Sequence, residues 1–331
     1  MRSARQGTPG LADVEMTLAS GSEDGDRPAK RSHKTPPMRV ITPDVSVWRR
    51  TLEIWRCREL VVGLVRKELK LKYKNSALGF MWSMLNPAMY LAVYYFIFQI
   101  VLGSGIPLFA IYLLCGLLVW NMFSAAVTSA TTAVVSNASI VKKVAFPREI
   151  LALASVGAAL VFLFLQAIVL VIALIAFHVA PALTYLPLLV LALVAAVILA
   201  AALGILLSAV NVYMRDVQHL IELVMVAWFW ANPIVYPYQL VAPRLSQHHL
   251  LWLYFLNPVT PIVLTFQRAL YAKVSPVSTV HGHSQVVNIL PTYGPEWYLV
   301  LLLGVIVVSS ALFIGGLAMF GRLEGNFAEE L

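Results

Sequence analysis

Aromatic side chains recur at helical spacing in two apolar stretches of the sequence. The six candidates are Tyr90, Tyr94, Tyr95, Phe98, Trp228 and Trp230. Three of them are four residues apart, so a helix would place them on one face. Aromatic rings stack on sugar rings, and a tyrosine hydroxyl can bond to sugar hydroxyls. The pattern therefore predicts either the lining of a path for a sugar-bearing molecule or ordinary helix packing and interfacial anchoring, and both interpretations stay open.

A second candidate set is a run of basic residues that precedes the first long apolar stretch. It includes Lys67, Lys70, Lys72 and Lys74. Between residues 46 and 75, apolar and basic side chains follow helical spacing, which predicts an amphipathic helix in the headgroup layer of a membrane. The lysines there would attract an anion or anchor the helix to anionic lipid. A soluble basic helix gives the same pattern, but the apolar stretch that follows directly favours the interface.

Two short polar motifs interrupt the apolar sequence further along. The first contributes Lys142, Lys143, Phe146, Pro147, Arg148 and Glu149, and the second contributes Arg215 and Asp216. A short segment between two membrane crossings can fit a groove on a partner protein. The same charges also fit a simpler role, in which they only hold these loops on the inner side of the membrane.

Several kinds of chemistry lack their usual sequence signatures. The chain has no Gly-x-x-x-x-Gly-Lys-Ser/Thr motif, so it cannot hold ATP by that route, and it has no His-Glu-x-x-His pattern for a metal. The apolar stretches are nearly free of ionisable residues, with Glu222 the main exception. Ion-coupled carriers and membrane glycosyltransferases need such residues. We therefore predict no catalytic residue, no metal site and no cofactor in this chain.

The composition predicts a membrane protein. Apolar residues make up 60% of the chain and charged residues 12%. Residues 80–141 and 151–214 carry no Asp, Glu, Lys or Arg, and each block is long enough for two crossings of roughly 20 residues. The net charge of +8 does not indicate nucleic-acid binding, because sixteen of the 24 Lys and Arg residues lie before Gly79. There they flank the first crossing and face anionic lipids.

We predict an all-α membrane protein with six transmembrane helices. The crossings cover about residues 80–102, 108–135, 151–177, 184–210, 220–237 and 297–320, within a transmembrane domain of residues 79–331. Residues 1–45 are rich in charge, Gly, Ser and Pro, which predicts a disordered cytoplasmic tail. Basic residues concentrate in the inner segments, so the N-terminus is expected in the cytoplasm. Six crossings would return the C-terminus to the same side, although the net-negative final tail gives no such signal of its own.

The segment at about residues 238–272 is open to two interpretations. Residues 250–270 are apolar enough for a seventh crossing. However, Pro258 and Pro261 each remove a backbone donor near its middle, and Trp252, Tyr254 and Asn257 suit an interface. We therefore expect a re-entrant pair of short helices that dips in from the outer side, where other protein or water must cover it.

The order and spacing of several motifs resemble the ABC-2 family of polysaccharide exporter permeases, the Wzm and teichoic-acid-export type. The motifs are residues 68–82 with Pro87 behind them, residues 137–149, residues 213–216, residues 232–236, residues 257–262 with Arg268 behind them, and residues 327–329. The likeness covers about residues 48–331. The Ala- and Val-rich chain with its long tail looks most like the galactan-exporter permease of mycobacteria and relatives.

The resemblance implies the following function. Two copies of the chain would pair in the cytoplasmic membrane and bind two copies of a separate Wzt-like ATPase, which holds ATP and Mg. The complex would export a polyprenyl-diphosphate-linked glycan, such as a galactan or an O-antigen-like polymer. The two polar motifs would couple to the ATPase, and the four lysines would lie where the lipid diphosphate binds. Asn257, Pro258 and Arg268 would belong to an outer gate.

Two other functions stay open at this point. An ABC-2 exporter of a drug or small lipid would share the same fold, and substrate-stimulated ATP hydrolysis would separate it from a glycan exporter. An ion channel or secondary carrier would transport without any ATPase.

Overall fold

The computed structural model describes residues 47–74, 76, 78–79, 81–101, 108–144, 146–271, 277–280, 283–286 and 289–331. The predicted disordered tail lies outside the described residues. The helices are α1 (Val47–Arg56), α2 (Arg58–Tyr73), α3 (Met81–Tyr94), α4 (Phe109–Ser136), α5 (Ala138–Val141), α6 (Glu149–Ala176), α7 (Leu186–Tyr213), α8 (Val217–Trp230), α9 (Tyr238–Gln247), α10 (Leu251–Leu256), α11 (Val259–Tyr271), α12 (Pro295–Leu323) and α13 (Phe327–Glu330). A π-helix, Tyr95–Val101, follows α3, and 3-10 turns cover Leu183–Tyr185 and Glu324–Asn326.

Helix α4 forms the centre of the bundle, packed against α6, α7 and α11. Small residues let these helices approach closely, as is usual where lipid gives no hydrophobic drive between helices. A Cβ on Gly204 of α7 would lie 2.6 Å from the Cβ of Ala130 on α4. On the outside of α7, a Cβ on Gly316 of α12 would lie 3.3 Å from the Ala202 carbonyl oxygen. Together with the packing of α6 on α4, these close approaches give the bundle the order α6, α4, α7 and α12.

The predicted helical class is confirmed, whereas the count of six crossings stays a prediction. Among the described residues, four helical stretches are long and apolar enough to cross a membrane: Phe109–Ser136, Glu149–Ala176, Leu183–Tyr213 and Pro295–Asn326. The predicted fifth crossing is a shorter helix, Val217–Trp230, of 14 residues. At 1.5 Å per residue it spans about 21 Å, less than the roughly 30 Å of a hydrocarbon core.

The predicted interface segment forms two helices and not one. Helices α1 and α2 are separated at Cys57, and α1 packs on α12 while α2 packs on α6. The α2–α6 contact is tight, since a Cβ on Gly157 would lie 2.9 Å from a methyl group of Val65. Trp55 is 69% exposed, which suits a headgroup anchor. Its placement in a lipid interface stays a prediction.

The segment at residues 238–272 contains α9, followed by α10 and α11 at residues 250–270, where a pair of short helices was expected. The chain turns between α10 and α11 at Asn257 and Pro258, so no single helix covers residues 250–270. Helix α11 is largely buried against α4 and α7. Beyond it, strands β1 (Val277–Val280) and β2 (His283–Val286) pair antiparallel, with Val277 opposite Val286. This hairpin was not expected in an all-α chain, and the re-entrant interpretation stays a prediction.

Candidate functional site

Aromatic rings form a continuous ladder from α3 into the centre of the bundle. Consecutive ring centroids are 4.6–6.1 Å apart. The ladder runs through Tyr90, Tyr94, Phe98, Phe109, Tyr112 and Tyr271. It brings three predicted path residues together with three that the sequence did not single out. Tyr95 lies outside this chain of contacts and is 38% exposed.

The two predicted tryptophans have different environments. Trp228 packs edge-on against Phe123, with centroids 5.4 Å apart, and its indole N–H donates to Asn257 Oδ1 at 2.9 Å. Trp230 is 59% exposed. Trp228 therefore joins α8 to the α10–α11 turn, whereas Trp230 lies on the surface of the bundle. Neither position tests whether they line a path.

A cavity of about 320 Å³ lies between the end of α2, the start of α3 and α6. Its lining combines one cation, four polar side chains and four apolar ones: Lys72, Tyr73, Ser83, Asn86, Gln166, Trp82, Leu85, Met89 and Phe162. The Lys72 ammonium lies 3.8 Å from the centroid of the Phe162 ring. Lys72 is an exposed residue, but partial burial of its ammonium lowers the pKa of that group. An anion in this cavity would have a cation and several hydrogen-bonding groups within reach.

The other three predicted anion-binding lysines are spread over different positions. Lys67 Nζ donates to Asn137 Oδ1 at 2.8 Å and so ties α2 to the first polar loop. Lys70 and Lys74 are exposed. The structure therefore places only Lys72 among the lining residues of this cavity, so the four lysines do not form one site within the chain.

Buried charges join three elements at the end of the bundle that carries the two polar loops, here called the basic end. Arg50 of α1 donates from Nη1 to Glu149 Oε1 at 2.6 Å and from Nη2 to Glu324 Oε1. Glu149 is 1% exposed and opens α6. Burial alone would lower the pKa of Arg50, but its hydrogen bonds and charge interactions with Glu324 and Glu149 raise it above the ordinary value. The guanidinium therefore stays charged.

The remaining residues of the two polar motifs divide into inward and outward groups. Arg148 Nη1 donates to the Glu324 carbonyl oxygen at 2.7 Å, and its guanidinium lies 5.6 Å from the Phe327 ring. Phe146 and Pro147 are half-buried. The exposed residues are Lys142, Lys143, Arg215 and Asp216. Of the predicted coupling residues, these four are open to a partner, whereas Arg148 and Glu149 contact the protein itself.

The opposite end of the bundle, here called the far end, contains the predicted gate residues. Asn257 Nδ2 donates to Asn232 Oδ1 at 2.9 Å, and Thr260 donates to the same oxygen at 3.3 Å. Pro258 lies in the turn between α10 and α11. Arg268 is directed elsewhere, with its guanidinium 5.2 Å from the Tyr185 ring. Asn257 and Arg268 therefore belong to two separate groups of contacts.

Three residues in these networks were not predicted as site residues, although Asn232 begins one of the motifs that carry the family resemblance. Arg50 is one of many basic residues before the first crossing, so nothing in the pattern distinguishes it. Glu324 follows directly after the apolar α12, and an acid at such a place is a usable signal. Asn232 precedes Pro233, and a buried amide at the end of a helix often satisfies backbone groups. Its Nδ2 donates to the Trp228 carbonyl oxygen at 2.6 Å.

Within the described part of the chain, no three His, Cys, Asp or Glu residues come together as ligands for a metal ion. The basic end offers exposed loops next to a buried ion network, and the cavity offers a cation next to aromatic rings. The exposed loop charges suit contact with a protein partner, and the cation in the cavity suits contact with an anion.

Comparison with known proteins agrees with this architecture. The ABC-2 type transporter family matches residues 59–271. Two proteins from Klebsiella pneumoniae, each named O-antigen export system permease protein RfbA, are 28% and 27% identical over 273 residues, covering 82% of this chain and 95% of each relative. A protein of the same name from Myxococcus xanthus is 30% identical over 221 residues, 66% of this chain and 83% of that relative. The chain is therefore a multi-pass membrane protein that belongs to the ABC-2 type transporter family.

Proposed function

We propose that this chain is the permease subunit of an exporter that moves a polysaccharide linked to a polyprenyl diphosphate across the cytoplasmic membrane. The observation that carries the proposal is the match over almost the full length of relatives named as O-antigen export system permeases. The glycan is an O-antigen-like polymer or a galactan. A diphosphate and a string of hydroxyls cannot cross hydrocarbon unaided.

The cavity beside Lys72 supports an anionic lipid as substrate. Its lining includes Asn86 and Met89 of α3, and the aromatic ladder begins at Tyr90 on the same helix. Asn86, Tyr90 and Tyr94 are four residues apart, so they share one face of α3. A headgroup beside Lys72 would therefore have its sugars close to the first rings of the ladder.

The proposal includes partners that bind at the basic end. Two copies of the chain pair in the membrane, and each binds a cytoplasmic ABC ATPase that holds ATP and Mg. The exposed side chains of Lys142, Lys143, Arg215 and Asp216 supply the docking contacts. Closure of the ATPase would push these loops and tilt the helices attached to them.

Depletion of the chain in its native host tests the transport assignment. Lipid-linked glycan should accumulate on the inner leaflet, measured by extraction and by labelling of surface glycan. Normal export after depletion would contradict the proposal. ATP hydrolysis by the assembled complex that responds to drugs or small lipids, and not to lipid-linked glycan, would favour a small-molecule exporter of the same fold.

A charge change in the cavity tests the substrate site. Lys72→Gln should lower glycan export about fivefold, because a charge-assisted hydrogen bond to the diphosphate is lost. The matched control is Lys74→Gln, which removes the same charge from an exposed position two residues away. Equal export by the two variants, measured in proteoliposomes that contain the whole complex, would exclude the cavity as the headgroup site.

A further inference from the structure

Residues 323–327, here called the C-terminal turn, collect contacts from both polar loops. Arg148, in the first loop, donates to the Glu324 carbonyl oxygen at 2.7 Å. Tyr213, at the start of the second loop, donates from its hydroxyl to the Leu323 carbonyl oxygen at 2.7 Å. The rings of Tyr213 and Phe327 are 6.0 Å apart, and Phe327 is fully buried. Two loops that are 65 residues apart in sequence thus bind the same turn.

The same turn also binds α1. The Glu324 carboxylate accepts from Arg50, whose other nitrogen donates to Glu149 at the start of α6. The Arg50 guanidinium lies directly against Gly321, where a Cβ would come within 2.7 Å of Cζ. A buried guanidinium shared by two carboxylates resists separation, because removal of one partner leaves an unpaired charge in a poorly hydrated place. The elements α1, α6 and α12 are therefore held together at the basic end.

We infer that the C-terminal turn makes the two polar loops respond as one unit, so that a push on either loop reaches α1, α6 and α12 together. Arg50, Arg148, Tyr213 and Glu324 are positioning residues in this inference. They transmit movement and do not contact the transported molecule. The inference rests on the proposed function, in which a partner ATPase drives the loops.

Two conservative variants test the inference in the assembled complex. Gly321→Ala forces the Arg50 guanidinium out of place without removing a charge, and Tyr213→Phe removes only the hydroxyl bond to the turn. We expect export per ATP hydrolysed to fall about tenfold for the first and about threefold for the second, with hydrolysis itself within about twofold of the unchanged complex. The readout is paired measurement of hydrolysis and glycan transport in proteoliposomes.

Each variant has a matched control. Gly315→Ala changes another glycine of α12 at which a Cβ would meet nothing within 4 Å. Tyr185→Phe removes a hydroxyl that bonds the Tyr293 carbonyl oxygen at the far end. Equal export per ATP in test and control variants would overturn the inference. So would a parallel fall in hydrolysis and export, since that outcome indicates loss of the fold and not loss of transmission.

A second measurement needs no partner protein. In the purified full chain in detergent, Tyr213→Phe and Gly321→Ala should each speed amide hydrogen exchange in α1 by about threefold, because the turn releases that helix. Unchanged exchange in α1 would overturn the inference even if transport is impaired. Faster exchange together with no ATP-driven export by the unchanged complex would leave the turn's role standing and count against the proposed function.

Discussion

The two ends of the bundle are held together by different chemistry. At the far end, neutral amides and hydroxyls are bonded to one another: Trp228 donates to Asn257, which donates to Asn232. At the basic end, a guanidinium lies between two carboxylates. Satisfied neutral groups are cheap to bury, whereas buried ion pairs add little net stability. We therefore expect the amide group around Asn232 to serve stability, and the charges at the basic end to serve the inferred transmission of movement.

The largest expected effect comes from leaving charges unpaired at the basic end. Arg50→Met should destabilise the chain by about 3 kcal/mol, because Glu149 then keeps a buried charge without its cation. Unfolding in mixed micelles would measure the loss. Arg49→Met is the control, since Arg49 is the exposed neighbour on the same helix. A similar loss in both variants would mean that the helix, and not the ion network, is responsible.

A neutral version of the network then separates stability from transmission. Arg50→Met combined with Glu149→Gln and Glu324→Gln leaves no unpaired charge at the site, so most of the lost stability should return. Export per ATP should stay low, because the turn no longer holds α1. Full recovery of both the stability and the export per ATP would contradict the contrast between the two ends.

A smaller loss is expected at the far end. Asn232 is fully buried and its side chain takes part in three hydrogen bonds. Asn232→Ala should cost about 2 kcal/mol, because the Asn257 amide and the Thr260 hydroxyl lose the oxygen that they donate to. The same unfolding measurement applies, with the exposed Asn326→Ala as control. A loss of stability smaller than that of the control would show that these amide hydrogen bonds do not stabilise the far end.

The sequence predicted the long elements better than the contacts between them. The uncharged blocks correctly predicted α4, α6 and α7, and the apolar stretch at residues 297–320 predicted α12, because membrane thickness demands long apolar helices. The end of α8 was predicted near Pro237, but the helix ends at Trp230, where Asn232 caps the last turn with its side chain. Local composition carries no record of the hydrogen bond that Asn232 accepts from Asn257, 25 residues further along the chain.

The candidate site was predicted less completely than the fold. Residue types and spacing indicated Tyr90, Tyr94 and Phe98 as one face, and the structure places their rings in contact. Arg148 and Glu149 were grouped with the exposed loop charges, yet they contact Glu324 and Arg50. Charge in a loop predicts its side of the membrane, but whether each side chain turns inward depends on tertiary partners far away in sequence.

The smallest expected effect concerns Glu68, a half-buried carboxylate on α2 at the contact with α6. Its Oε1 accepts a hydrogen bond from the Ser155 hydroxyl at 2.9 Å. Burial raises the pKa of Glu68, and the Ser155 bond and the charge of Lys67 only partly oppose this. The pKa of Glu68 is higher in the folded chain than in the unfolded chain. Its favourable contribution to folding stability is therefore fully present at pH values below the unfolded pKa. It is lost as the pH rises through the folded pKa.

Glu68→Gln should therefore raise the apparent melting temperature by about 2 °C at pH 7, since the amide can still accept the Ser155 bond without a charge to desolvate. The gain should vanish near pH 4, where the carboxyl group of the unchanged chain is protonated. Glu53→Gln, at an exposed position on α1, should show neither effect. A gain that persists at pH 4 would point to better packing of the amide. A lower melting temperature at pH 7 would mean that Glu68 is stabilised as an anion. The basic end would then tolerate an acid without an ion-pair partner as well as the acids that are paired with Arg50.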